Sequence, residues 1–518
     1  MADGIVLVGM PGSGKTTVGR LVADRLGRPF LDTDELVEKE TGRSPAQLIE
    51  EQGEPAFRAV ERDAVLKACA VEGAVVAAGG GAVLDPLNRW AFKEHGLRVR
   101  LDAPVDVLAA RLWATPVSRP LLGDRLNEGL ARTASERESI YRAVDATVNS
   151  YAALGEVVSR VAAGRSLSGW RPLYEQGQLF IGSGIEAGWL SSLIESTIGG
   201  RPATVADARA LDANQSLADA VPSDRLCVIS GGETVKTMST LEQVLGWLTL
   251  IGAERTDPLI VAGGGTLGDV GGLAAALHHR GMPLVHVPTT WLAQADSSIG
   301  GKVAIDLPGA KNAVGAFWPA ALIATDIDLL KTLPIDRRRD GLAECLKAGL
   351  IGDPVLWQLV EQRGQTALNA TDPAAVYAIT ERAVRVKLAI VDRDPTEQGE
   401  RRVLNLGHTV GHALEAESSY ALAHGAAVVL GLRSVAAIAN GRGADPMLAE
   451  RIDAVLHDLG FALHRRFDRS TVLAALGNDK KRAAGKQRWI LPMEVGRVIE
   501  VDDVTDAELD LALSAIAA

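Results

Sequence analysis

Short apolar runs alternate with amphipathic stretches over the first 165 residues. The run "GIVLVG" is apolar throughout, which is typical of a parallel strand that is buried on both faces. The stretch "TTVGRLVADRLG" follows, and its apolar residues are spaced as on the buried face of one helix. Those residues are Val18, Leu21, Val22 and Leu26. Because "GAVVAAGGG" then repeats the pattern of a strand followed by glycines, this segment is predicted to be an α/β domain.

The alternation of strands and helices resumes near Leu173 and later gives way to helices alone. The predicted strands include "RLCVISGGE", "PLIVAGGG" and "MPLVHVPTT". From about Leu329 the apolar spacing is helical, as in "RRRDGLAECLKAGLI" and "AAVYAITERAVRVKLAIV". The small and polar segment "AAGRSLSGWRP" separates the two regions and is the candidate linker. The chain is therefore predicted to join a small α/β domain to a larger unit that is α/β first and helical afterwards.

Charge and composition narrow the classes of function. The formal net charge of −11 argues against general nucleic-acid binding, so any phosphate recognition should be local. Three cysteines (Cys69, Cys227 and Cys345) lie far apart without a CxxC pair, and we expect buried thiols rather than a disulfide or a zinc site. No apolar stretch approaches the ~20 residues of a membrane-spanning helix. The N-terminus lacks the pattern of a signal peptide, so we expect a cytoplasmic protein.

A complete phosphate-binding loop follows the first strand. The sequence "GMPGSGKT", from Gly9 to Thr16, matches GxxxxGK[ST] and lies between a predicted strand and a predicted helix. Glycines let backbone N–H groups wrap a phosphate, and the helix N-terminus favours negative charge there. Lys15 can reach the β- and γ-phosphates of ATP, and the Thr16 hydroxyl can hold Mg²⁺.

Several short motifs after this loop are candidates for binding the phosphate acceptor. "FLDTDE" places Asp32 and Asp34 two residues apart, so both share one face if the strand persists. "AFR" contributes Arg58, and the "GGG" motif at 79–81 allows a ligand to approach the backbone closely. "SRPLL" contributes Arg119 in a proline-bounded loop that suits a mobile lid over ATP. Each motif on its own is equally compatible with a surface charge or a turn.

Taken in order, these motifs and the later "ERESIYRAV" resemble shikimate kinases across residues 1–165. The resemblance implies a P-loop kinase domain, with a parallel sheet flanked by helices, that phosphorylates shikimate to shikimate 3-phosphate. It implies that Lys15, Asp34 and Arg119 act in catalysis, and that Thr16 and Asp32 hold Mg²⁺. ATP would contact Gly12, Gly14, Lys15, Thr16, Thr17, Arg111 and Arg119. Shikimate would contact Asp34, Arg58, Gly79, Gly80, Gly81 and Arg137, since guanidinium groups such as those of Arg58 and Arg137 pair bidentately with a carboxylate.

Glycine-rich loops follow the strands of the second region as well. "GGGTLGD" at 263–269 contains GxGxxG, which alone is a weak dinucleotide signal. "PTTWLAQADSSIGGKVAID" places Asp296 and Lys302 between two turns, and "PGAKNAVGAFWP" adds Lys311 and Asn312. Loops of this composition at the ends of strands are more often ligand sites than plain connections.

Three of the nine histidines lie in "GHTVGHALEAESSYALAHG". His408 and His412 are four residues apart and share one face if the stretch is helical. His424 follows after a segment that could bend back. The spacing leaves open a metal site, an acid–base or ligand-binding role, and a structural role. A third metal ligand could be Glu415, Glu417 or a distant residue.

The second region resembles 3-dehydroquinate synthases, from about Leu173 to the "NDKK…LP" segment. The motifs that carry the resemblance are "GGGTLGD", "PTTWLAQADSSIGGK", "KNAVGAFWP", "TLPIDRRRDGLAECLK", "LNLGHTVGHALE" and "AHG". The resemblance implies a linker at 166–172, a Rossmann-like NAD-binding half at 173–330 and a helical metal- and substrate-binding half at 331–518. The substrates of both domains would be small molecules, and the chain would form a homodimer through the synthase region.

This resemblance also implies a set of site residues. Zn²⁺ (or Co²⁺) would be held by Glu344, His408 and His424, and catalysis would use Lys302, Lys347 and His412. NAD⁺ would contact Glu233, Lys236, Gly264, Gly265, Asp269, Thr289, Thr290, Thr332 and Leu333. Substrate would contact Arg280 (lent by the neighbouring subunit), Asp296, Lys302, Lys311, Asn312, Lys347, Lys387, Arg401, Asn405, His412, and Lys480 or Lys481.

The implied reaction converts 3-deoxy-D-arabino-heptulosonate 7-phosphate to 3-dehydroquinate with loss of phosphate and no net redox change. The sequence departs from the family pattern at a few positions, where Ala426 replaces a glutamate and Asp306 an asparagine. These departures leave room for the first of three alternatives, and the other two are independent of them. The second region could be a related sugar-phosphate cyclase with another substrate, or an NAD-dependent alcohol dehydrogenase, and the first domain could be a regulatory ATP-binding module.

Overall fold

The computed structural model divides the chain into two compact units, Met1–Pro172 and Leu173–Ala518. The residues that the structure describes are 4–113, 126–142, 144, 146–162, 178–183, 190–191, 194–195, 198–308, 310–477 and 487–518. Arg119, Lys480, Lys481 and the predicted linker at 166–172 lie outside them.

A five-stranded parallel sheet forms the centre of the first unit, in the order β2-β3-β1-β4-β5. The strands are β1 (Gly4–Val8), β2 (Phe30–Asp32), β3 (Val75–Ala77), β4 (Gly96–Asp102) and β5 (Ala146–Asn149). The helices are α1 (Lys15–Leu26), α2 (Thr33–Thr41), α3 (Pro45–Gln52), α4 (Glu54–Cys69), α5 (Pro86–His95), α6 (Val105–Trp113), α7 (Leu126–Arg142) and α8 (Leu154–Ala162).

Strand β1 has a continuous apolar sequence because helices cover both faces of the sheet. Ile5 and Leu7 pack into one buried cluster, whereas Val6 and Val8 pack into another. Since successive side chains of a strand point to opposite faces, these two clusters lie on opposite sides of the sheet. The predicted parallel α/β architecture of this unit is confirmed.

One detail of the predicted helix after β1 is wrong. Val18 and Val22 are buried in α1, but Leu21 is 39% exposed. Consecutive residues turn about 100° around a helix axis, so Leu21 lies off the centre of the face that Val18 and Val22 define. The buried face is therefore narrower than the apolar spacing predicted.

A six-stranded parallel sheet organises the first half of the second unit, in the order β6-β13-β10-β9-β7-β8. Its strands are β6 (Gln178–Gly182), β7 (Ala203–Asp207), β8 (Leu226–Ile229), β9 (Leu259–Gly263), β10 (Leu284–Pro288) and β13 (Leu322–Asp326), and an antiparallel ribbon is formed by β11 (Lys302–Leu307) and β12 (Ala310–Phe317). The helices are α9 (Ala208–Ala213), α10 (Gln215–Ala220), α11 (Met238–Leu250) and α12 (Gly265–Leu277). The glycine-rich loops follow the carboxyl ends of these strands, which is where ligands bind in open parallel sheets.

The second half of this unit is helical, with one short hairpin. Its helices are α13 (Ile335–Gly352), α14 (Pro354–Leu368), α15 (Pro373–Arg393), α16 (His408–Glu417), α17 (His424–Gly441), α18 (Leu448–Asp458), α19 (Arg469–Gly477) and α20 (Asp506–Ser514), and the hairpin strands are β14 (Trp489–Glu494) and β15 (Arg497–Val501). Every residue of α13 from Asp340 to Ile351 is buried. A helix that is buried all round lies at the centre of its half, and this one carries charged residues into that centre. Among the described residues, no helix combines the length and apolar character needed to cross a membrane.

Candidate functional sites

The phosphate-binding loop of the first unit is closed around the side chain of Lys15. The Lys15 ammonium donates hydrogen bonds to the carbonyl oxygens of Gly9 at 3.0 Å and Met10 at 3.2 Å. Gly12 and Gly14 have φ of 82° and 90°, which residues with a side chain rarely adopt. The glycines therefore let the chain turn tightly enough to enter α1 directly, so that the N-terminus of the helix lies at the loop.

Arg111 supports this loop from α6. Its guanidinium donates to the Gly12 carbonyl at 3.3 Å and to the Ser150 carbonyl at 2.8 Å. The exposed Thr17 lies in the first turn of α1, beside Thr16. The structure therefore brings together the described residues that were predicted to contact ATP.

Thr16 and Asp32, the two residues predicted to hold Mg²⁺, lie next to each other. The Thr16 hydroxyl donates to Asp32 Oδ2 at 2.7 Å, across from α1 to the end of β2. The other carboxylate oxygen of Asp32 accepts from the Asp34 backbone N–H at 3.0 Å and caps α2. The condition under which Asp32 and Asp34 would share a strand face is not met, because this cap ends the strand at Asp32. Hydroxyl and carboxylate oxygens are the donors that Mg²⁺ prefers, so the residues present fit this ion.

The acceptor side of the first unit is built from α2, α4 and the glycine motif. A Cβ on Gly79 would lie 2.6 Å from Asp34 Oδ1, and one on Gly81 would lie 2.4 Å from Arg58 Nη1. The Asp34 carboxylate and the Arg58 guanidinium therefore lie against the backbone of the glycine motif. Arg137 joins them from α7, where its guanidinium donates to the Gly80 carbonyl at 2.9 Å.

Two residues that sequence reasoning missed lie beside these arginines. Glu61 is buried and pairs with Arg58 at 2.6 Å, and burial raises the pKa of Glu61 even though Arg58 opposes the shift. The Tyr141 hydroxyl donates to the Gly80 carbonyl at 2.5 Å, next to Arg137. Each lies three or four residues after its arginine on one helix, and this spacing was the signal available in the sequence.

The loops at the carboxyl ends of β8 and β9 form the predicted dinucleotide region. The ammonium of Lys236 pairs with the Asp269 carboxylate, and Lys311 Nζ lies 3.0 Å from Glu233 Oε1. Burial raises the pKa of Asp269 to about 6 although Lys236 opposes it. Two glycines lie where this region enters a helix: Gly264 precedes α12, and Gly265 is its first residue.

The remaining predicted NAD residues lie after β10 and β13. The Thr289 backbone N–H donates to the Gly263 carbonyl at 3.0 Å, and a Cβ on Gly264 would lie 3.1 Å from the Thr290 methyl carbon. The Thr290 side chain therefore faces the glycine loop, and the Thr289 backbone is hydrogen-bonded to the end of β9. Thr332 and Leu333 follow a short 3₁₀ helix after β13, where the Thr332 hydroxyl donates to the Asn214 side chain at 2.8 Å rather than to this loop.

Asp207 is a residue of this region that sequence reasoning missed. It ends β7, and its carboxylate accepts from the Gly231 backbone N–H at 3.2 Å. A Cβ on Gly231 would fall 1.9 Å from Asp207 Oδ2, so a glycine is needed there. An acidic residue at the end of a strand in a Rossmann-like sheet is a known ribose ligand, and the strand "ATVAD" contained that signal.

A buried cluster of cations lies between the strand loops and the helical half. Lys387 donates to the backbone oxygen of Asp296 at 2.7 Å and to its carboxylate at 2.8 Å, and Lys347 Nζ lies 2.5 Å from Glu344 Oε2. Burial favours a higher pKa for the Asp296 carboxyl, but Lys387 and Lys347 outweigh it and hold the pKa below its usual range. The Asp296 carboxyl thus keeps its charged form inside the protein, where an unpaired charge would be unfavourable. Burial, in contrast, lowers the pKa of Lys387.

A second group of predicted substrate residues is organised by Glu397. Its carboxylate pairs with Lys302 and accepts from the Asn405 side chain at 2.9 Å. Arg401 is almost fully buried and donates to the Gly300 carbonyl at 2.9 Å. Sequence reasoning missed Glu397. Its φ of 60° is rare for a residue with a side chain, so the sequence does not predict the turn in which it lies.

Asn312 and Arg280 lie in two other tight turns. The Asn312 backbone has φ of 51°, and its N–H donates to Asp306 Oδ1 at 2.7 Å. The aspartate at position 306, where the family pattern has an asparagine, therefore still offers a side-chain oxygen that accepts this hydrogen bond. Arg280 follows α12 with φ of 64° and an exposed side chain.

Glu344, His408 and His424 meet in the helical half from three helices. His424 Nε2 lies 3.1 Å and His408 Nε2 lies 3.4 Å from Glu344 Oε1, and the three ligand atoms lie within 4.8 Å of one another. Burial lowers the pKa of His424, but hydrogen bonds to Glu344 and Glu415 outweigh it and raise the pKa to about 10. Burial and the charge of Lys347 instead lower the pKa of His408. One carboxylate with two imidazoles is a set that suits Zn²⁺ and leaves a position open.

His412 lies beside this group without belonging to it. Its ring centroid is 5.2 Å from that of His408 and 6.4 Å from that of His424. Glu415 Oε1 lies 3.3 Å from Nδ1 of His424, on the side of the ring away from Glu344. Glu417 instead pairs with Arg465 at 2.7 Å. Glu415 and Glu417, which the sequence left open as a third metal ligand, therefore lie outside the group of Glu344, His408 and His424.

Three family models match the chain. Residues 11–163 match the model of shikimate kinase, residues 226–340 the model of the 3-dehydroquinate synthase N-terminal domain, and residues 341–482 the model of its C-terminal domain.

Individual proteins are similar to the second unit. A 3-dehydroquinate synthase from Xanthomonas campestris pv. campestris (strain 8004) is 40% identical over 289 residues, which are 54% of this chain and 78% of that protein. One from Xylella fastidiosa (strain M12) is 39% identical over 333 residues, 61% of this chain and 89% of that protein. The solved structure of a 2-epi-5-epi-valiolone synthase from Streptomyces hygroscopicus subsp. jinggangensis 5008, with NAD⁺ and Zn²⁺ bound, has a TM-score of 0.60 at 29% identity and covers 66% of this chain and 96% of that one.

Proposed function

The chain belongs to the 3-dehydroquinate synthase family and carries a shikimate kinase domain ahead of it, and from this premise we propose how its residues perform two reactions. It is a bifunctional enzyme of the shikimate pathway, a kinase and a lyase. The kinase transfers a phosphoryl group from ATP to shikimate. The synthase converts 3-deoxy-D-arabino-heptulosonate 7-phosphate to 3-dehydroquinate and phosphate.

In the kinase, we propose that the residues position the reactants and stabilise charge. Lys15 would contact the β- and γ-phosphates, and Thr16 and Asp32 would hold Mg²⁺, which supplies charge neutralisation when bound. The Asp34 carboxylate would accept the proton of the attacking shikimate hydroxyl. The observation that supports this role is the position of the Asp34 carboxylate against Gly79, where an added Cβ would lie 2.6 Å from Oδ1.

The variant Asp34→Asn tests the kinase proposal. It keeps the size of the side chain and removes the proton acceptor, so we expect shikimate phosphorylation to fall by about 10²- to 10⁴-fold while ATP binding is kept. Asp24→Asn, at an exposed position of α1, is the matched control and should retain full activity. If Asp34→Asn phosphorylates shikimate at the normal rate, Asp34 is not the base.

In the synthase, we propose that Glu344, His408 and His424 hold Zn²⁺ (or Co²⁺) and that the loops after β7 to β10 hold NAD⁺. When bound, the metal supplies a Lewis acid for a substrate hydroxyl, and NAD⁺ supplies a reversible hydride acceptor. Lys347 and Lys387 are buried, and with Arg401 they would neutralise the phosphate and carboxylate of the substrate. His412 lies a helical turn from His408 and would move protons at the substrate.

The observation that carries the synthase proposal is the convergence of Glu344, His408 and His424 beside the buried cations. A second candidate, a cyclase that acts on another sugar phosphate, is favoured by the similarity to the valiolone synthase and by the departures at Asp306 and Ala426. Phosphate release from the heptulosonate phosphate, with Zn²⁺ and NAD⁺ added and no net NADH, is the result that we expect.

Sedoheptulose 7-phosphate, assayed in parallel, distinguishes the two candidates. Release from the heptulosonate phosphate at the higher kcat/KM supports the synthase, whereas release from sedoheptulose 7-phosphate alone would support the other cyclase. Net formation of NADH would contradict both and indicate an alcohol dehydrogenase. The homodimer, the contribution of Arg280 to the neighbouring subunit and the cytoplasmic location stay predictions.

A further inference from the structure

We infer that Glu415 is a positioning residue, which holds His424 in the orientation and tautomer with which it binds the metal. This inference rests on the proposed metal site and names a residue that determines its affinity. Glu415 lies on α16 and is 6% exposed, so its carboxylate is enclosed with the histidine rather than solvated.

The geometry assigns the two ring nitrogens of His424 to different partners. Nε2 faces Glu344 at 3.1 Å, and Nδ1 faces Glu415 Oε1 at 3.3 Å. A neutral imidazole carries one N–H. With that proton on Nδ1 and donated to Glu415, the lone pair of Nε2 points at the metal position. A carboxylate in this place also makes the imidazole a stronger ligand.

Nδ1 of the other histidine of the site faces the backbone rather than a side chain. His408 Nδ1 lies 3.1 Å from the backbone carbonyl of Leu406. The His408 side chain is 11% exposed, whereas that of His424 is 29% exposed. Because His424 is less enclosed by packing, its ring orientation relies more on the hydrogen bond to Glu415.

The turn between α16 and α17 explains how Glu415 reaches His424. The Glu415 carbonyl accepts from the Tyr420 backbone N–H at 2.7 Å and from the Ser418 hydroxyl at 2.9 Å. These bonds fold the chain back, so that the first residue of α17 faces the side chain of Glu415. Position 426 is an alanine, and the carboxylate that faces Nδ1 of His424 in this chain is that of Glu415.

The test is the affinity of the full chain for Zn²⁺, measured by competition with a chromophoric chelator. We expect Glu415→Ala to bind Zn²⁺ roughly 10- to 100-fold more weakly than the unmodified protein. Glu415→Gln should be intermediate, because its amide oxygen still accepts from Nδ1. With Co²⁺ in place of Zn²⁺, the visible spectrum of Glu415→Ala should change, which a loss of stability alone would not cause.

Glu417→Ala is the matched control, since it removes the same charge from the same helix but breaks contacts to Arg465 and Asp468. We expect its affinity for Zn²⁺ to stay within about 2-fold of normal, well below the effect of removing an outer-sphere ligand partner. The inference is overturned if Glu415→Ala binds Zn²⁺ normally, or if Glu417→Ala weakens binding as much. If Glu415→Ala does not fold, normal affinity in Glu415→Gln together with an unchanged Co²⁺ spectrum overturns it. Unchanged zinc content in His408→Ala would instead contradict the proposed metal site itself.

Discussion

At the scale of single residues, His286 shows how burial alone sets a charge state. It lies in β10, where it is 5% exposed, and burial lowers its pKa to about 4. The unfolded chain, with a histidine pKa near ~6.5, binds more protons than the folded chain between these values. The stability that this histidine contributes is therefore complete above about pH 6.5 and is lost as the pH falls towards 4.

The variant His286→Gln should flatten this dependence. In the unmodified protein, the shift corresponds to about 3 kcal/mol in the free energy of unfolding between pH 6.5 and 4. Urea unfolding of the second unit over this pH range measures the slope. The control His457→Gln, at an exposed position of α18, should keep the original slope. An equal slope in His286→Gln and the unmodified protein would show that His286 is not buried in its neutral form.

The metal group shows what could be predicted for single residues. The spacing of His408 and His412 predicts a shared helix face, and the structure has it, but spacing alone cannot supply Glu344 from a distant helix. His424 returns to the site through Ser419 and Tyr420, whose φ values are 52° and 63°. Residues other than glycine seldom adopt such values, so the sequence contains no signal for this turn.

At the scale of elements, α16 and α17 pack closely because glycines lie where their backbones meet. A Cβ on Gly431 would fall 1.8 Å from the Gly407 carbonyl oxygen, and one on Gly411 would fall 3.0 Å from the Ala427 carbonyl. Gly407 itself has φ of 76° and precedes His408. The close approach of these helices fixes the separation of their first residues, which are His408 and His424.

Replacing Gly431 by alanine should therefore disturb both stability and the metal site. The added methyl group meets a backbone atom that cannot rotate away, and overpacking of this kind destabilises by about 1–3 kcal/mol or more. Gly441→Ala, in the same helix with no atom near its Cβ, is the control and should be neutral or stabilising by up to about 1 kcal/mol. Thermal unfolding and zinc content measure the two effects. Normal zinc content and stability in Gly431→Ala would contradict the packing described.

Elements were predicted well where burial dictates the pattern and poorly where one side chain ends an element. The apolar runs of β1, β9 and β10 predict strands because both faces of each sheet are covered. The boundary between β2 and α2 was not predicted, because it depends on the Asp32 carboxylate, which caps the helix and so moves Asp34 out of the strand. Apolar periodicity carries no information about such a cap.

At the scale of the whole molecule, each described site is built from the residues of one compact unit. The kinase and synthase reactions are the fifth and second steps of the pathway by the biochemistry of their families, so neither product is the other's substrate. Direct transfer between the sites is not implied. We expect each activity to survive the loss of the other, and the fusion to coordinate synthesis of the two enzymes or to aid their stability.

The most direct test of two separate sites, one of them a metal site, is a set of three assays on His424→Ala. Zinc content, phosphate release and shikimate phosphorylation are measured on the same preparation, with His412→Ala alongside. We predict that His424→Ala loses its zinc and phosphate release but phosphorylates shikimate normally. His412→Ala should keep its zinc and lose about 10²- to 10⁴-fold in phosphate release. Retention of zinc and phosphate release by His424→Ala, or loss of its kinase activity, would contradict this account.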